Sequence, residues 1–475
     1  MGPRLLKRIV SELDATLRGG VVSRVHQPDA RNIIFKVFAG GRQHNLIIST
    51  HPTLSRIHLT ARRYPNPPVP LRFCAFLRSR LNDARIEGVS QLDDERIVRI
   101  GFVKRDKEAT RRYTLVAELT GKSSNVILLD EDGVVLDALR YFPPGAARTV
   151  VPGVRLAPLT LPEGLSMREE EVTPREGETW NQAADRYYSR LVDAEELEAE
   201  KRLLGQVIKR ADQRAKRKLE NLIGDRRKAE ADIQCSRLGE LLLANFKRIE
   251  KGMTEIEVED YYATPPQRVR IPLDPARTPR ENVDRYFKRA RKAKTALEML
   301  RDRIPAVERE MEYIEGLLCE WECIETKEDA EALREELMEA GYLRPAGEGT
   351  ERPVAEPLRR FLSKDGFEIL CGKSGRGNDL LVRRYASRGD LWFHAKGVPG
   401  AHVLLKTGGR RPTEEAVEEA ASIAAYYSKA RSSAKVEVIF ADAADVQKPK
   451  GARPGTVTVR EYRTVVVRPA PGRGG

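Results

Sequence analysis

Through the middle of the chain the apolar positions step by four and three without interruption: Ala293, Leu297, Leu300, Ile304, Val307, Met311, Ile314, Leu318 and Trp321. Lys, Arg and Glu fill much of the rest, so the spacing predicts a long helix with one apolar seam, of the kind that pairs in a coiled coil. An earlier seam, Leu204, Ile208, Ala211, Ala215, Leu219 and Leu222, contains two successive steps of four, which loosens a supercoil locally. Between the seams, TEIEVEDYYATPPQRVRIPLDPARTPRENV is broken by prolines and reads as a small β insert at about 252–281. Two seams joined by a reversing element predict an antiparallel coiled-coil hairpin over 180–343. A helix of about 50 residues reaches roughly 75 Å at 1.5 Å per residue. Pro305, inside the second seam, is expected to bend it or leave a gap in its hydrogen bonding.

The flanking segments have other periods. Over 1–160, LLKRIVSELDATL carries apolar residues at helical spacing and stops at Gly19-Gly20. VVSRVHQ, NIIFKVF and HNLIIST follow as antiparallel strands, PLRFCAFLRSRL as a short basic helix, then RIVRIGFV, RYTLVAEL and NVILLDEDGVVLDALR as further strands. Residues 161–179 and 344–357 read as linkers, 358–469 as a closing α/β domain, and 470–475 as a disordered tail. In that last domain FEILCG, DLLVRRY, DLWFHAK and AHVLLK are expected strands, EEAVEEAASIAAYYSKARSS a helix, and KVEVIFA and TVTVREYRTVVVRP strands again. The fold class is therefore α+β and multidomain: a mixed N-terminal domain, a helical hairpin with a β tip, and an α/β C-terminal domain.

Charge narrows the partner. The 475 residues carry a formal charge of +13, which favours nucleic acid or another polyanion. Aromatic residues make up only 6%, which argues against a single-strand binder built mainly on stacking platforms. The five cysteines, Cys74, Cys235, Cys319, Cys323 and Cys371, include no CxxC and suit no disulfide framework, which implies a reduced, cytoplasmic setting. MGPRLLKRIVSEL is charged where a signal peptide would be apolar, and no membrane partner is expected.

Candidate chemistry gathers in GDLWFHAKGVPGAHVLL, 389–405. Asp390, His394 and His402 are the only ligand set there, and the H-x7-H spacing matches no zinc motif. No nucleophile elbow, Walker loop or dinucleotide fingerprint is present, so neither a catalytic centre, a metal nor a cofactor is expected. The glycine-rich GKSGRGND either contacts phosphate through backbone N–H groups, Lys373 and Arg376, or is a flexible turn between strands. His394, Lys396 and His402 are expected to donate to phosphates or riboses, with Trp392 packed beneath them or against a base.

GFEILCGKSGRGNDLLVRRYASRGDLWFHAKGVPGAHVLLK, EEAASIAAYYSKARSSAKVEV and VQKPKGARPGTVTV together resemble the RNA-binding domain of the NFACT family. STHPTLSRIHLT, PVPLRFCAFLRSRL, TGKSSNVILLD and VVPG resemble its N-terminal domain, and IPLDPARTPRENVDRYFKRARKAK its middle signature. The family contains RqcH- and NEMF-type ribosome quality-control factors, and its bacterial members are often labelled fibronectin-binding protein A. The resemblance implies binding to the large ribosomal subunit (rRNA) with its stalled nascent chain complex. It implies recruitment of tRNA, above all alanine tRNA, for C-terminal alanine tailing, with the peptide bond left to the ribosome. It also implies an N-terminal fold similar to formamidopyrimidine-type DNA glycosylases, whose nucleophile is an N-terminal proline; here Pro3 stands behind Met1 and Gly2.

By the same resemblance, Glu95 and Arg96 stand where the family has a tRNA-recruiting Asp-Arg pair. Asn378, with Lys373, Arg376, Asp390, Trp392, His394, Lys396 and His402, completes the expected RNA-binding set of the C-terminal domain. Ala401 stands where the family often has Ser, and 161–179 is too short for the usual helix-hairpin-helix domain. A surface adhesin, a glycosylase-like enzyme and an RNA binder without tailing are the alternatives.

Overall fold

Helix α1 (Pro3–Leu17) turns Leu5, Leu6, Ile9, Val10, Leu13 and Leu17 to one side, the i, i+3, i+4 set of a single buried face. Pro3 opens it at a position where a backbone N–H would have no helical partner. Gly19, at φ +77°, lets the chain turn back after it. The chain then builds β1 (Val21–His26), β2 (Asn32–Ala39), β3 (Arg42–Ser49), β4 (Arg56–Leu59), helix α2 (Arg72–Leu81), β5 (Arg85–Gln91), β6 (Ile97–Arg105), β7 (Thr110–Glu118), β8 (Asn125–Leu129) and β9 (Val135–Ala138). Among the described residues these strands form one sheet in the order β4-β3-β2-β1-β5-β6-β7-β8-β9. Its core side, with α1 and α2, buries Leu6, Ile9, Phe35, Phe73 and Phe102.

The structure is a computed structural model that describes residues 1–93, 95–105, 109–146, 148–159, 171–344 and 356–473. Most of both expected linkers, and Asp94, lie outside the described residues. The chain divides into two units, Met1–Glu196 and Leu197–Gly475.

Helix α3 (Trp180–Ile233) begins in the first unit and continues into the second, where α4 (Cys235–Ala244), β10 (Glu255–Asp260), β11 (Gln267–Pro272) and α5 (Pro279–Glu322) follow. The early seam of α3 meets the late part of α5: Leu204, Ile208, Ala211 and Ala215 share a cluster with Ile314 and Leu317. Further along α3, Leu222 packs with Leu300, Ile304 and Val307. Rising numbers on one helix meet falling numbers on the other, so the two run antiparallel. The antiparallel β10–β11 hairpin follows α4, with Ile256, Val258 and Ile271 packed on Leu241, Leu242 and Tyr286. Helix α5 runs unbroken through Pro305.

The seam is not the whole buried face of α5. Leu317 is buried, whereas Met311, Leu318 and Trp321 are half-buried. A further helix, α6 (Lys327–Glu339), adds Ala330, Leu333 and Leu337 to the same cluster, so α5 needs apolar residues on a second side. Between α3 and α5, a Cβ on Gly205 would lie 2.8 Å from the Trp321 ring. That indole donates its N–H to the Lys201 carbonyl at 2.7 Å. Gly205→Leu is therefore expected to destabilise the second unit by about 1–3 kcal/mol through overpacking. Gly224→Ala, where a Cβ meets nothing within 4 Å, should stabilise it by about 0.5–1 kcal/mol. Urea unfolding followed by helical circular dichroism reads both.

The C-terminal part comprises β12 (Leu358–Leu362), β13 (Glu368–Gly372), α7 (Gly375–Leu380), β14 (Leu391–Ala395), β15 (Val403–Lys406), α8 (Glu414–Tyr426), β16 (Val436–Asp442), β17 (Val446–Gln447), β18 (Thr458–Val459) and β19 (Arg463–Val467). Six of the strands form an antiparallel sheet ordered β12-β13-β15-β14-β16-β19. The expected strand DLLVRRY is helical: α7 continues as π-helical turns through Leu381–Tyr385. Ser374 caps α7 by accepting from the Gly377 N–H at 3.3 Å, and Leu381 buries fully, so tertiary packing overrides the strand-like composition. The expected TVTVREYRTVVVRP strand is split into β18 and β19.

Candidate nucleic-acid interface

Both faces of the C-terminal sheet are covered, which decides what its polar row can do. Phe393, Ala395, Val403 and Leu405 face α8 through Ala420, Ala421 and Ala424. The alternate positions Trp392 and Leu404 turn the other way, toward Leu358, Leu381 and Ala441. His394 and His402 flank Trp392 there: its ring stacks on His394 at 5.8 Å between centroids and meets His402 edge-on at 5.1 Å. Trp392 is only 1% exposed, so it is a core side chain and offers no open stacking platform.

The row is also less basic than its composition. Burial pulls the His394 imidazole down to about 4, against the favourable backbone groups of Gly400 and Ala395. Burial, then the facing His394, holds His402 well below the usual histidine range. Both imidazoles are neutral at neutral pH and cannot counter phosphate charge. Lys396 is the outward member of the set and pairs with Glu437 at 2.8 Å. Asp390 is buried as a bracket: it accepts from the backbone of Ser387 and Thr407, each at 2.9 Å, and pairs with Lys406. Asn378 ties α7 to the strand region, its Oδ1 accepting from the His402 N–H at 2.9 Å.

The glycine-rich loop is packed. A Cβ at Gly377 would stand 2.3 Å from the Pro357 carbonyl oxygen, and one at Gly375 would stand 2.5 Å from Glu336 Oε1. Its expected phosphate contacts are met from within the chain by α6. Glu336 Oε2 accepts from the Arg376 N–H at 3.2 Å, and Arg376 pairs with Glu339 at 3.0 Å and Glu335 at 3.6 Å. Lys373 lies 3.9 Å from Asp329, which also holds Arg359 at 3.0 Å. The acidic set of α6 does not figure among the residues singled out from the sequence. Its signal was Thr326-x-x-Asp329, which forms the reciprocal capping box that starts the helix.

Beside this loop a cavity of about 870 Å³ is lined by Gly316, Glu320 and Glu336 from the helices, by Trp392, His394 and His402 from the sheet region, and by Lys450–Thr456. Glu320 is pushed well up by burial first and the Glu336 charge second. Burial also raises Glu336, against the Tyr313 hydroxyl that donates to it at 2.9 Å. Among the described residues no group of three or more His, Cys, Asp or Glu side chains is arranged to hold a metal ion. All five cysteines are buried and free, and no described helix is long and apolar enough to cross a membrane.

In the first unit, Glu95 and Arg96 are half-buried at the turn between β5 and β6. Arg96 donates to Ser55 Oγ at 2.8 Å, and Ser55 in turn donates to the Leu119 carbonyl at 3.1 Å. The Glu95 carbonyl accepts from the Gln91 side chain at 2.7 Å. The pair is thus set on a stitched turn.

Residues 4–158 and 158–353 match the model of the NFACT N-terminal and middle domains, and 358–461 match that of the NFACT protein RNA binding domain. The protein named "Rqc2 homolog RqcH" from Bacillus subtilis is 29% identical over 551 positions, covering 96% of each chain. The human "Ribosome quality control complex subunit NEMF" is 29% identical over 136 residues, which cover 29% of this chain and 12% of that one. The solved C-terminal part of the fibronectin/fibrinogen-binding protein from Streptococcus suis is 30% identical and covers 56% of this chain and 95% of that one, with a TM-score of 0.40. With most of its length accounted for by these two models, the chain belongs to the NFACT family.

Proposed function

We propose that this chain is a ribosome-associated quality-control factor. In this reading it binds the large ribosomal subunit carrying stalled peptidyl-tRNA and recruits tRNA, with alanine tailing of the nascent chain as the outcome. The observation that carries the proposal is likeness along 96% of the chain to a protein named as an Rqc2 homologue, joined to an RNA-binding domain match. The charge of +13 supports a polyanionic partner. The antiparallel α3–α5 pair acts as a coiled-coil arm whose β10–β11 tip grips the subunit. Glu95 and Arg96 hold the recruited tRNA, Glu95 keeping the charge of the family Asp one methylene further out. The chain works by binding, and the ribosome makes the peptide bond.

The alignment of 551 positions exceeds the 475 residues here, so the Bacillus relative carries segments that this chain lacks. We place that loss at 161–179, as absence of the helix-hairpin-helix domain. A tagged pull-down from native cells at moderate salt, resolved on a sucrose gradient with the bound RNA sequenced, tests the whole reading. Large-subunit rRNA with one enriched tRNA, above all alanine tRNA, is the expected result. Large subunits without tRNA would leave a binding factor that does not tail, and no RNA at all would overturn the reading in favour of an adhesin. Arg96→Ala is expected to lower tRNA recovery without lowering rRNA recovery; unchanged tRNA would make the pair structural.

A further inference from the structure

We propose that the cavity beside Trp392 and His402 is a pocket for a single unpaired RNA nucleobase. The proposal deepens the RNA-binding reading above and rests on it for the choice of RNA as ligand. Trp392 Nε1 and His402 Nδ1 are both buried, and neither has a hydrogen-bond partner. Their residues are 1% and 2% exposed and both line the cavity, with ring centroids 5.1 Å apart. An indole offers only a donor, and a neutral imidazole offers one donor and one acceptor. The imidazole Nδ1 accepts in the tautomer that carries its proton on Nε2, and the two rings meet edge-on.

An indole donor and an imidazole nitrogen able to accept, both without partners and both on residues that line the cavity, fit a ligand edge that carries an acceptor beside a donor. The Watson–Crick edge of every nucleobase has that pairing, and it is free only when the base is unpaired. The volume of about 870 Å³ lies in the range of roughly 300–1,000 Å³ of small-molecule pockets. The rim supplies the charge for the attached phosphate. Arg309, Lys450 and Arg453 line the cavity and are exposed, and none has an ion-pair partner among the described residues, unlike Lys373 and Arg376. Arg453 is positioned by its guanidinium over the Tyr313 ring at 4.8 Å. The base is thus held edge-on in a dry pocket while its phosphate stays at a wet, basic mouth.

The test uses the full-length protein and a fluorescently labelled, unstructured eight-nucleotide RNA, free or annealed to its complement, read by anisotropy at two salt concentrations. The unpaired strand is expected to bind more tightly than the duplex. Trp392→Phe keeps an aromatic side chain but loses the pyrrole half of the indole with its N–H, and should weaken binding roughly three- to tenfold, by the same factor at both salts because no phosphate contact is lost. Gly316→Leu is the second variant: a Cβ there meets nothing within 4 Å and the residue lines the cavity. It fills the pocket on a helix that favours Leu over Gly, and should weaken binding more than Trp392→Phe does while the fold is kept. Equal binding of strand and duplex, or unchanged affinity in both variants, would overturn the pocket. Displacement of the RNA by an acetylated dipeptide amide at lower concentration than by free nucleotides would overturn it in favour of a peptide ligand. Large-subunit co-sedimentation of the wild-type chain is measured separately; its failure overturns the ribosome reading and leaves intact any base binding that the variants abolish.

Discussion

Asp329→Ala is expected to destabilise the second unit by about 3–5 kcal/mol, the cost of removing one partner of a buried ion pair. Asp329 is 2% exposed and faces two cations that are themselves nearly buried, Arg359 at 3.0 Å and Lys373 at 3.9 Å. Its loss strands both charges in a medium that cannot hydrate them. The same carboxylate accepts from the backbone N–H groups of Glu325 and Thr326, each at 3.1 Å, so the start of α6 loses one half of its capping box as well. Asp329→Asn separates the two effects, because an amide oxygen still accepts from the backbone but carries no charge. Adding Arg359→Met to Asp329→Ala should recover part of the loss. By contrast Glu339→Gln, at an exposed ion pair with Arg376, should cost no more than about 1 kcal/mol. Urea unfolding monitored by circular dichroism distinguishes the series; equal, small losses throughout would make the α6 contact superficial.

The helix α5 is readable from the chain because a 4,3 spacing sustained over nine positions is a helical period and not a strand one. What Met311, Leu318 and Trp321 conceal is the third helix: a seam reports one partner, and α6 adds a second. In the C-terminal domain, DLLVRRY has strand-like composition, yet Ser374 starts a helix just before it. Two glycines, Gly375 and Gly377, poor helix formers taken alone, are there because Glu336 and Pro357 approach the backbone too closely for a Cβ. Such close approach is a tertiary fact with no local signature. DLWFHAK is a strand, as its alternation predicts, but the charge of His394 within it and of His402 beyond it depends on whether the second face of the sheet is covered. Alternation reads the same whether that face meets water or protein, so the neutral state of His394 and His402 emerges only from the fold. Likewise Lys373 and Arg376 read as free cations until α6, some forty residues earlier, is found against them.

Arg148→Ala probes the first unit in the same way, and its effect should depend on pH. Arg148 Nη1 lies 2.6 Å from Glu118 Oε1, at side-chain exposures of 11% and 4%. Burial raises the Glu118 carboxyl above its ordinary 4.5, while the charge and hydrogen bond of Arg148 pull it back. Below the unfolded-state value the carboxyl is neutral in both states and costs nothing. As pH rises, the unfolded chain ionises first, and the folded state bears a growing penalty until its own, higher value is passed. Without Arg148 that value climbs further, so the penalty becomes larger and extends to higher pH. The loss from Arg148→Ala should reach about 3–5 kcal/mol near pH 8 and shrink toward pH 4. Glu118→Gln in the same background removes the ionisable group, so the double variant should be more stable than Arg148→Ala at pH 8 and lose the pH-dependent part of the difference. A loss that does not change between the two pH values would mean that Arg148 acts by packing alone and that Glu118 remains hydrated.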